Sequence, residues 1–600
     1  MKYRHTLSLI GMAVSLVLSV FSIGCRKETS DTPVWEDNGI PVVYLTIAED
    51  EFKKVNESEN HEYRSAGGTI RITDANGETD TGDLELEYLR GRGHGTWSAD
   101  KKPYKFKLKE KADLLDMGEN KHWVLLANRY DPTLIRNQLV YYIASQMGLP
   151  YTPACQPVDL VVNGEYWGSY LLSEDIRISK TRIAIDELTD ADTAEPEVSG
   201  GYLLALNPDY DEPKENVFLS DHMVRFLCAA PEFQAGEAGR PEQYDYIVSY
   251  IQRLEDAIFA SDFRDENGTF YGELMDLQSA TGYWWIQEFA QNYDAFTTSS
   301  TYLFKERNGK LFWGPVWDFD LSFDEGYGTE DGLMYTKMPW LDHLRGNEPE
   351  FQQMLRERWE VLDKILGQVT EEGGILDQYR DTIERSWQDD IKRWPLVTEE
   401  GNTIGYDFTE VMEYQRERIE KRRAWINAHI DEELTNVFCN ITFMADDTEY
   451  TQKQVRRGTG LFDLPAGPEK EGYIFTGWAY ENGEYYDQTP SQEDITLYAV
   501  YVPLKDAVRT EEITLPAGAE QWGEIHQKDY AISFYTVPEE SLDRNVHWTS
   551  SDPDIAEIRE YNVIRMHQTG TVEITGTLNS GASVSFTLHI YDSRYESPPE

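Results

Sequence analysis

The sequence predicts a large α+β region followed by two small all-β modules. Three observations carry that expectation. From Ile40 to about Leu434, strand-like and helix-like periodicities interleave without a repeat. After Asn436 the texture changes to short apolar segments separated by turn residues. The full 600 residues also exceed what one hydrophobic core usually organises, so several domains are expected.

Composition narrows the function classes. The chain has 55 Lys and Arg against 108 Asp and Glu, a formal net charge of −53. A surface that acidic repels phosphate backbones and anionic lipid, which argues against general nucleic-acid binding. A mean hydropathy of −0.58 excludes a polytopic membrane protein. The 16 Trp, 37 Tyr and 23 Phe exclude a mainly disordered chain. Four Cys without Cys-x-x-Cys spacing or a Cys/His cluster give neither a disulfide framework nor a zinc site.

At the N-terminus, Lys2, Arg4 and His5 precede an apolar run from Leu7 to Phe21. That run is too short and wrongly flanked for an ordinary membrane span. It ends Ser22-Ile23-Gly24-Cys25, before the polar Arg26-Lys27-Glu28-Thr29. The small residue before Cys25 resembles a bacterial lipoprotein signal, with Ser22 where Leu is usual. An ordinary cleaved signal peptide is the alternative, and either exports the chain. Residues 1–24 are read as the signal, 25–39 as a polar tether, and Cys25 as the lipidated residue. The resemblance implies a bacterial membrane anchor on the periplasmic or cell-surface side. Cys155, Cys228 and Cys439 are read as small buried hydrophobes.

Residues 40–435 form the α+β region. Pro41 to Ile47 is strand-like, and so is Tyr104 to Leu108, where Tyr104, Phe106 and Leu108 alternate with Lys105, Lys107 and Lys109. Asp131-Pro132 is expected to open a helix, with Asp131 as N-cap. Its apolar positions are Ile135, Leu139, Ile143 and Met147, and Gly148 then Pro150 stop it. Pro157 to Val162 and Tyr166 to Leu172 flank Asn163-Gly164, a strong hairpin signal. Helices dominate 242–296 and 350–435, the last with Met412, Ile419 and Ile426 seven apart and Glu417 in register with Lys421.

Residues 436–503 carry Ile441-Thr442-Phe443, then Gly472 to Trp478, then Ile495 to Tyr501. The aromatic before Gly-Trp and the closing Leu-Tyr-Ala resemble the Listeria–Bacteroides repeat, a small β module of surface proteins. Residues 508–593 carry Trp548-Thr549-Ser550-Ser551-Asp552 and Gly570 to Thr575, which resemble a bacterial Ig-like domain of the second group. Neither shows catalytic chemistry, so both are read as spacers or adhesive modules.

Four segments of the α+β region stand out chemically. Arg90-Gly91-Arg92-Gly93-His94-Gly95-Thr96-Trp97 leads into Lys101-Lys102-Pro103-Tyr104-Lys105-Phe106-Lys107. A Gly-rich turn beside a strand with Lys on one face suits an anion, and a solvated strand face is the plainer reading. Trp123 to Asp131 leads into Ile135-Arg136-Asn137; its apolar half is core, and Asn128, Arg136 and Asn137 read as fixing the loop and helix start. The hairpin Asn163 to Leu172 delivers an acid, Glu174, whose plainer role is a solvated strand end. Last come Asn292-Tyr293-Asp294 and Leu311 to Asp320. Asp318 and Asp320 lie two apart on a strand or its exit, so their carboxylates are expected to share one side, with Trp317 and Phe319 on the other. Such a pair repels unless a cation or proton lies between. A structural salt-bridge or calcium site stays open.

In this order the segments resemble the CotH kinase family, named for a spore-coat protein kinase. The shared features are an Arg-Gly turn before Lys-Lys-x-Tyr, Leu-Leu-Ala-Asn before Ile-Arg-Asn, Asn-Gly-x-Tyr-x-Gly-x-Tyr-x-Leu, Asn-x-Asp and Pro-x-Trp-Asp-x-Asp. The resemblance implies a divergent protein-kinase-like domain over 40–435. It implies ATP and Mg²⁺ as cofactors, with Asp294 catalytic, Asp318 holding the metal and Asp320 assisting. Arg92, Lys102, Lys105 and Lys107 would face phosphates, and Glu174 would orient one Lys as a kinase ion pair does. Two departures bear on catalysis: Ser299-Ser300 replace Asn-Asn before Thr301-Tyr302, and the turn reads Gly93-His94-Gly95-Thr96 rather than Asn-Ser-Ser.

The sequence therefore supports an exported phosphotransferase acting on an extracytoplasmic protein or glycan. A noncatalytic surface lipoprotein that binds glycan or protein is the alternative. A glycosidase using Asp294 and Asp318 meets the residue requirement as well, and the family resemblance argues against it.

Overall fold

The structure is a computed structural model that describes residues 38–592, apart from 60, 77–79, 94, 207–215, 234–239, 293–294, 296–299, 324–331, 334–337, 396–406, 436–437, 457–463, 466, 487–492, 504–509, 526–528, 539–540, 542–545, 560–561 and 579–580. The expected signal, Cys25, His94, Asp294 and Ser299 lie outside the described residues. The chain divides into two compact units, residues 1–220 with 224–431 and residues 221–223 with 432–600.

In the first unit, β1 (Val42–Thr46), β2 (Thr69–Thr73), β3 (Leu84–Gly91), β4 (Tyr104–Asp113), β5 (Glu119–Leu126), β6 (Cys155–Val162) and β7 (Glu165–Glu174) close a barrel. Neighbours follow the order β1-β2-β3-β4-β5-β7-β6, and β6 returns parallel to β1. Closure leaves no edge strand to manage. The predicted alternation on β4 holds: Tyr104, Phe106 and Leu108 are buried in the barrel core with Trp123 and Leu172, so Lys105, Lys107 and Lys109 line the outer face. Asn163 and Gly164 turn β6 into β7 with φ of 49° and 90°, the left-handed pair that a two-residue hairpin requires.

A second sheet contains β8 (Tyr202–Leu206), β9 (Val217–Leu219), β10 (Arg225–Ala230), β11 (Tyr302–Lys305) and β12 (Leu311–Trp313), in the order β12-β11-β8-β10-β9. Among the described residues the α-helices are α1 (Glu49–Asn56), α2 (Arg136–Gln146), α3 (Arg240–Phe259), α4 (Tyr271–Leu274), α5 (Leu277–Ala290), α6 (Pro339–Asn347), α7 (Pro349–Thr370), α8 (Ile375–Arg393) and α9 (Phe408–Thr435). From Ser279 to Ala290 every residue of α5 is buried, because α2, α7 and β12 all pack on it. Met412, Ile419 and Ile426 are buried as their spacing predicts, and Glu417 pairs with Lys421 at 3.7 Å. Helix α8 is bolted to the barrel by a buried ion pair. Asp390 lies 2.7 Å from Lys101 Nζ and accepts from the Ser169 N–H at 2.8 Å.

One helix start differs from its expectation. Helix α2 begins at Arg136 rather than at Asp131-Pro132. The Asp131 carboxylate instead closes the preceding turn, accepting from the Thr133 N–H, the Thr133 hydroxyl and the Arg136 N–H. It satisfies a helix-start donor from five residues away, as an N-cap does from two or three.

The second unit has two separate β cores. Strands 438–445, 448–456, 473–479 and 495–503 form one sheet over Cys439, Ile441, Phe443, Trp478 and Leu497. In 512–591, a four-stranded and a three-stranded sheet share a core containing Trp548, Ile564, Ile574, Phe586 and Leu588. The predicted all-β C-terminal region is therefore present.

Candidate functional site

A cleft of about 820 Å³ lies between the barrel's outer face and the second sheet. Its walls carry Arg90, Arg92, Lys105, Lys111, Lys121 and Arg177 against Asp175, Glu187 and Glu232. In a chain of net charge −53, a cleft with twice as many cations as carboxylates is a local inversion of sign. Strand pairing sharpens it. Arg90 on β3 stands directly opposite Lys105 on β4. Like charges so placed destabilise a sheet unless something answers them.

Asp175, just beyond β7, answers in part. Its carboxylate lies 2.9 Å from Lys105 Nζ and 3.7 Å from Arg177 Nε. Although burial alone would raise the Asp175 pKa, the neighbouring cations hold it below the ordinary carboxylate value. Burial pulls the Lys105 pKa down despite that partner. His122 on β5, opposite Lys107, is pushed down to about 4 by burial and then by Arg177. The wall is desolvated and crowded with positive charge.

At the Arg92 end of the cleft the chain passes from β12 into an irregular segment bearing Trp317, Asp318, Phe319 and Asp320. The Arg92 guanidinium sits over the Trp317 ring at 5.2 Å. Tyr141 of α2 stacks on that ring with centroids 6.1 Å apart. The Arg-Gly turn can be this tight because a Cβ on Gly91 would lie 2.3 Å from the Trp97 ring. Asp318 has φ +68°, a left-handed conformation uncommon without glycine. Three side chains hold that backbone. Asn292 Nδ2 donates to the Asp318 carbonyl at 3.1 Å. Asn137 Oδ1 accepts the Phe319 N–H at 2.8 Å. Arg136 Nη1 donates to the Asp320 carbonyl at 3.2 Å. Asn137 is itself set by Asn128 at 3.0 Å, so the Ala-Asn and Ile-Arg-Asn motifs form a clamp on the acidic loop.

Residues 89–426, more than half of the chain, match the family model described as CotH kinase protein. The chain belongs to the CotH kinase family. Residues 440–500 match the Listeria-Bacteroides repeat domain. No curated protein matches the chain.

Against this family's expected site, the structure sorts the sequence-predicted residues. Arg92 and Lys105 both line the cleft. Lys102 does not: its Nζ donates to the Trp97 carbonyl and lies 4.4 Å over the Trp97 ring. Lys107 shares Lys105's face but pairs with Glu87 at 2.8 Å, away from the cleft lining. Glu174 pairs with Arg182 and accepts the Ala154 N–H at 2.9 Å, so the acid beside the cleft lysine is Asp175. The correction is one residue, and on an extended chain one residue reverses the face. Asp175 had no separate signal in the sequence.

The acidic pair also differs from its expectation. Strand alternation ends at Trp313, Asp318 is exposed and Asp320 is buried, while Trp317 and Phe319 are both buried. The pair remains electrostatically joined. Burial, then the charges of Asp318 and Asp131, raise the Asp320 pKa well above the ordinary carboxylate value. Ser300, in the departing segment, donates its hydroxyl to Asp318 Oδ2 at 3.1 Å.

The family suggests nucleotide and metal use. Among the described residues no three His, Cys, Asp or Glu side chains gather into one metal group. Two neighbouring carboxylates are nevertheless the donor set for a magnesium ion that takes its remaining oxygens from phosphate and water. A divalent cation there would offset both the burial and the neighbouring carboxylate charges that raise the Asp320 pKa. Asp318 and Asp320 fit that group.

Proposed function

We propose that this CotH-family protein is an exported, lipid-anchored phosphotransferase. It would use ATP with Mg²⁺ to phosphorylate an extracytoplasmic protein or glycan. The observation carrying the reading is a juxtaposition: a cation wall with Arg90 opposite Lys105 runs through Arg92 to Trp317, the residue before Asp318. Phosphoryl transfer needs cations around a polyanion and carboxylates on its metal, which these elements would supply. Asp318 and Asp320 would hold Mg²⁺, Arg92 and Lys105 would face phosphate, and Asp294 would face the acceptor hydroxyl. The barrel and the second sheet with its helices are our candidates for the two lobes of a divergent protein-kinase-like fold. Residues 508–593 are read as a bacterial Ig-like module, supported by small β-sheets packed over one core.

Nucleotide titration of the full chain with and without Mg²⁺ tests this. Mg²⁺-dependent binding is expected, and no binding at millimolar nucleotide would falsify it. Replacing Cys25 with Ser should release the protein from the membrane fraction; unchanged retention would overturn the anchor.

An observation in the second unit favours a binding role for its modules. Among the described residues, the exposed large aromatics are Tyr450, Tyr473, Tyr485, Trp522 and Tyr535, all from this unit. Aromatic faces exposed on β modules suit glycan or protein surfaces. If this is the chain's whole activity, glycan or protein retention will depend on these residues and nucleotide will not bind.

A further inference from the structure

Two carboxylates leave a divalent cation short of protein oxygens, and the clamp on the acidic loop contains another. Asn292, two residues beyond α5, is 2% exposed. Its bond to the Asp318 carbonyl fixes the amide, because only the nitrogen end can donate. The other end, Oδ1, is therefore the oxygen, and it is buried without a hydrogen-bond donor. The other two members of the clamp differ: Asn137 uses both ends of its amide, and Arg136 also donates to Gln415 Oε1 at 3.2 Å. A buried acceptor without a donor is costly and calls for an explanation such as a water or an ion.

The surroundings favour an ion. Amide and carboxylate oxygens are the ordinary ligands of hard divalent cations. Asn292 grips the main chain of the residue best placed to hold one. The Ser300 hydroxyl is already committed to Asp318 Oδ2, which leaves it little to offer a cation. We propose that Asn292 Oδ1 is a ligand of the divalent cation held by Asp318. This assignment rests on the Mg²⁺-dependent reading above.

Mn²⁺ binding to the full chain, measured by calorimetry and by electron paramagnetic resonance, tests it without turnover. Asn292→Ala should weaken Mn²⁺ about tenfold or more. Asn292→Asp cannot donate to the Asp318 carbonyl but supplies a harder oxygen, so it should bind Mn²⁺ at least as tightly as the wild type. Asn292→Ser provides a second truncation if the Ala variant does not fold, and should behave as Ala. If Asn292 merely props the Asp318 carbonyl, Ala, Ser and Asp will weaken Mn²⁺ alike, which overturns the assignment. Equal Mn²⁺ affinity in wild type and Asn292→Ala, with nucleotide binding still Mg²⁺-dependent, overturns it while leaving the phosphotransferase reading intact. A wild type that binds neither Mn²⁺ nor nucleotide overturns both.

Discussion

The two ends of the candidate site, the cation wall of the cleft and the acidic loop that follows Trp317, are built in opposite ways. The cation wall stands on regular strands, where Arg90, Lys105 and His122 occupy ordinary extended positions. Its tension is electrostatic: cations face each other across β3 and β4 with one close carboxylate partner, Asp175, for Lys105. The acidic loop has no regular structure, and its tension is conformational, with Asp318 left-handed and gripped by Asn292, Asn137 and Arg136. A strand sets a charge on a face at no backbone cost. Aiming a carboxylate at one point takes a strained backbone that its surroundings over-determine. The wall is therefore expected to set affinity, and the loop to set the requirement for metal.

The largest effect that could break this comparison comes from exchanging its ends. Asp318→Asn should abolish Mg²⁺ dependence of nucleotide binding while leaving weak, metal-independent binding to the wall. Lys105→Met should do the reverse, weakening nucleotide about tenfold to a hundredfold with the Mg²⁺ requirement intact. Isothermal titration at several Mg²⁺ concentrations separates the two patterns. If both variants lose the same property, wall and loop are one site without division of labour.

Next in size is a change on neither end. Glu174 and Arg182 form a pair at the barrel, with the guanidinium 4.5 Å over the Trp123 ring. Glu174→Gln removes the charge that compensates a largely desolvated Arg182 and should lower stability by about 2–3 kcal/mol in urea unfolding. Nucleotide affinity should not change, because this acid faces away from Lys105. Lys107→Ala, on the solvent side of β4, should alter neither. A loss of affinity in Glu174→Gln would restore it as the kinase-type partner.

A smaller effect tests the clamp. Asn137→Ala leaves the Phe319 N–H without its acceptor and the Asn128 amide oxygen without its donor, at a cost of about 1–3 kcal/mol. If the clamp aims Asp318, Mg²⁺ should be required at higher concentration in this variant, with metal-free nucleotide binding unchanged. Stability loss alone would make Asn137 a structural residue.

The clamp also marks how far the sequence could be read. Alternation on β4 is visible because side chains repeat every second residue, and Asn163-Gly164 is visible because few residues accept both left-handed positions. Asn128, Arg136 and Asn137 were legible as residues that fix a loop. Which loop was not, since Asn137 reaches a partner 182 positions away and Arg136 one 184 positions away. The choice between Glu174 and Asp175 depends on the last residue of a strand, where a shift of one reverses the face. Nothing in Trp317-Asp318-Phe319 announces a left-handed Asp, because the clamp imposes that conformation and the local sequence does not. The family's motifs name the segments; long-range packing assigns the atoms.

The smallest effect probes the wall through one imidazole. His122 is half-buried, and burial with Arg177, Lys105 and Lys107 pushes it down to about 4, although Asp175 pulls the other way. The folded protein therefore keeps His122 neutral while the unfolded chain protonates it below about 6.5. Between those values the unfolded state binds more protons, so this residue's contribution to stability is lost as pH falls from about 6.5 toward 4 and levels off below. His122→Gln should remove that part of the slope, making the variant's urea midpoint less sensitive to pH than the wild type's across the window. Pyrophosphate in the cleft would offset the same cations, so the His122 resonance in an NMR titration should move to a higher pKa when it is added. A His122 that titrates near 6.5 in the empty protein would mean that the wall is neither desolvated nor cationic enough to set affinity, and the contrast between the two ends would fail on the wall's side.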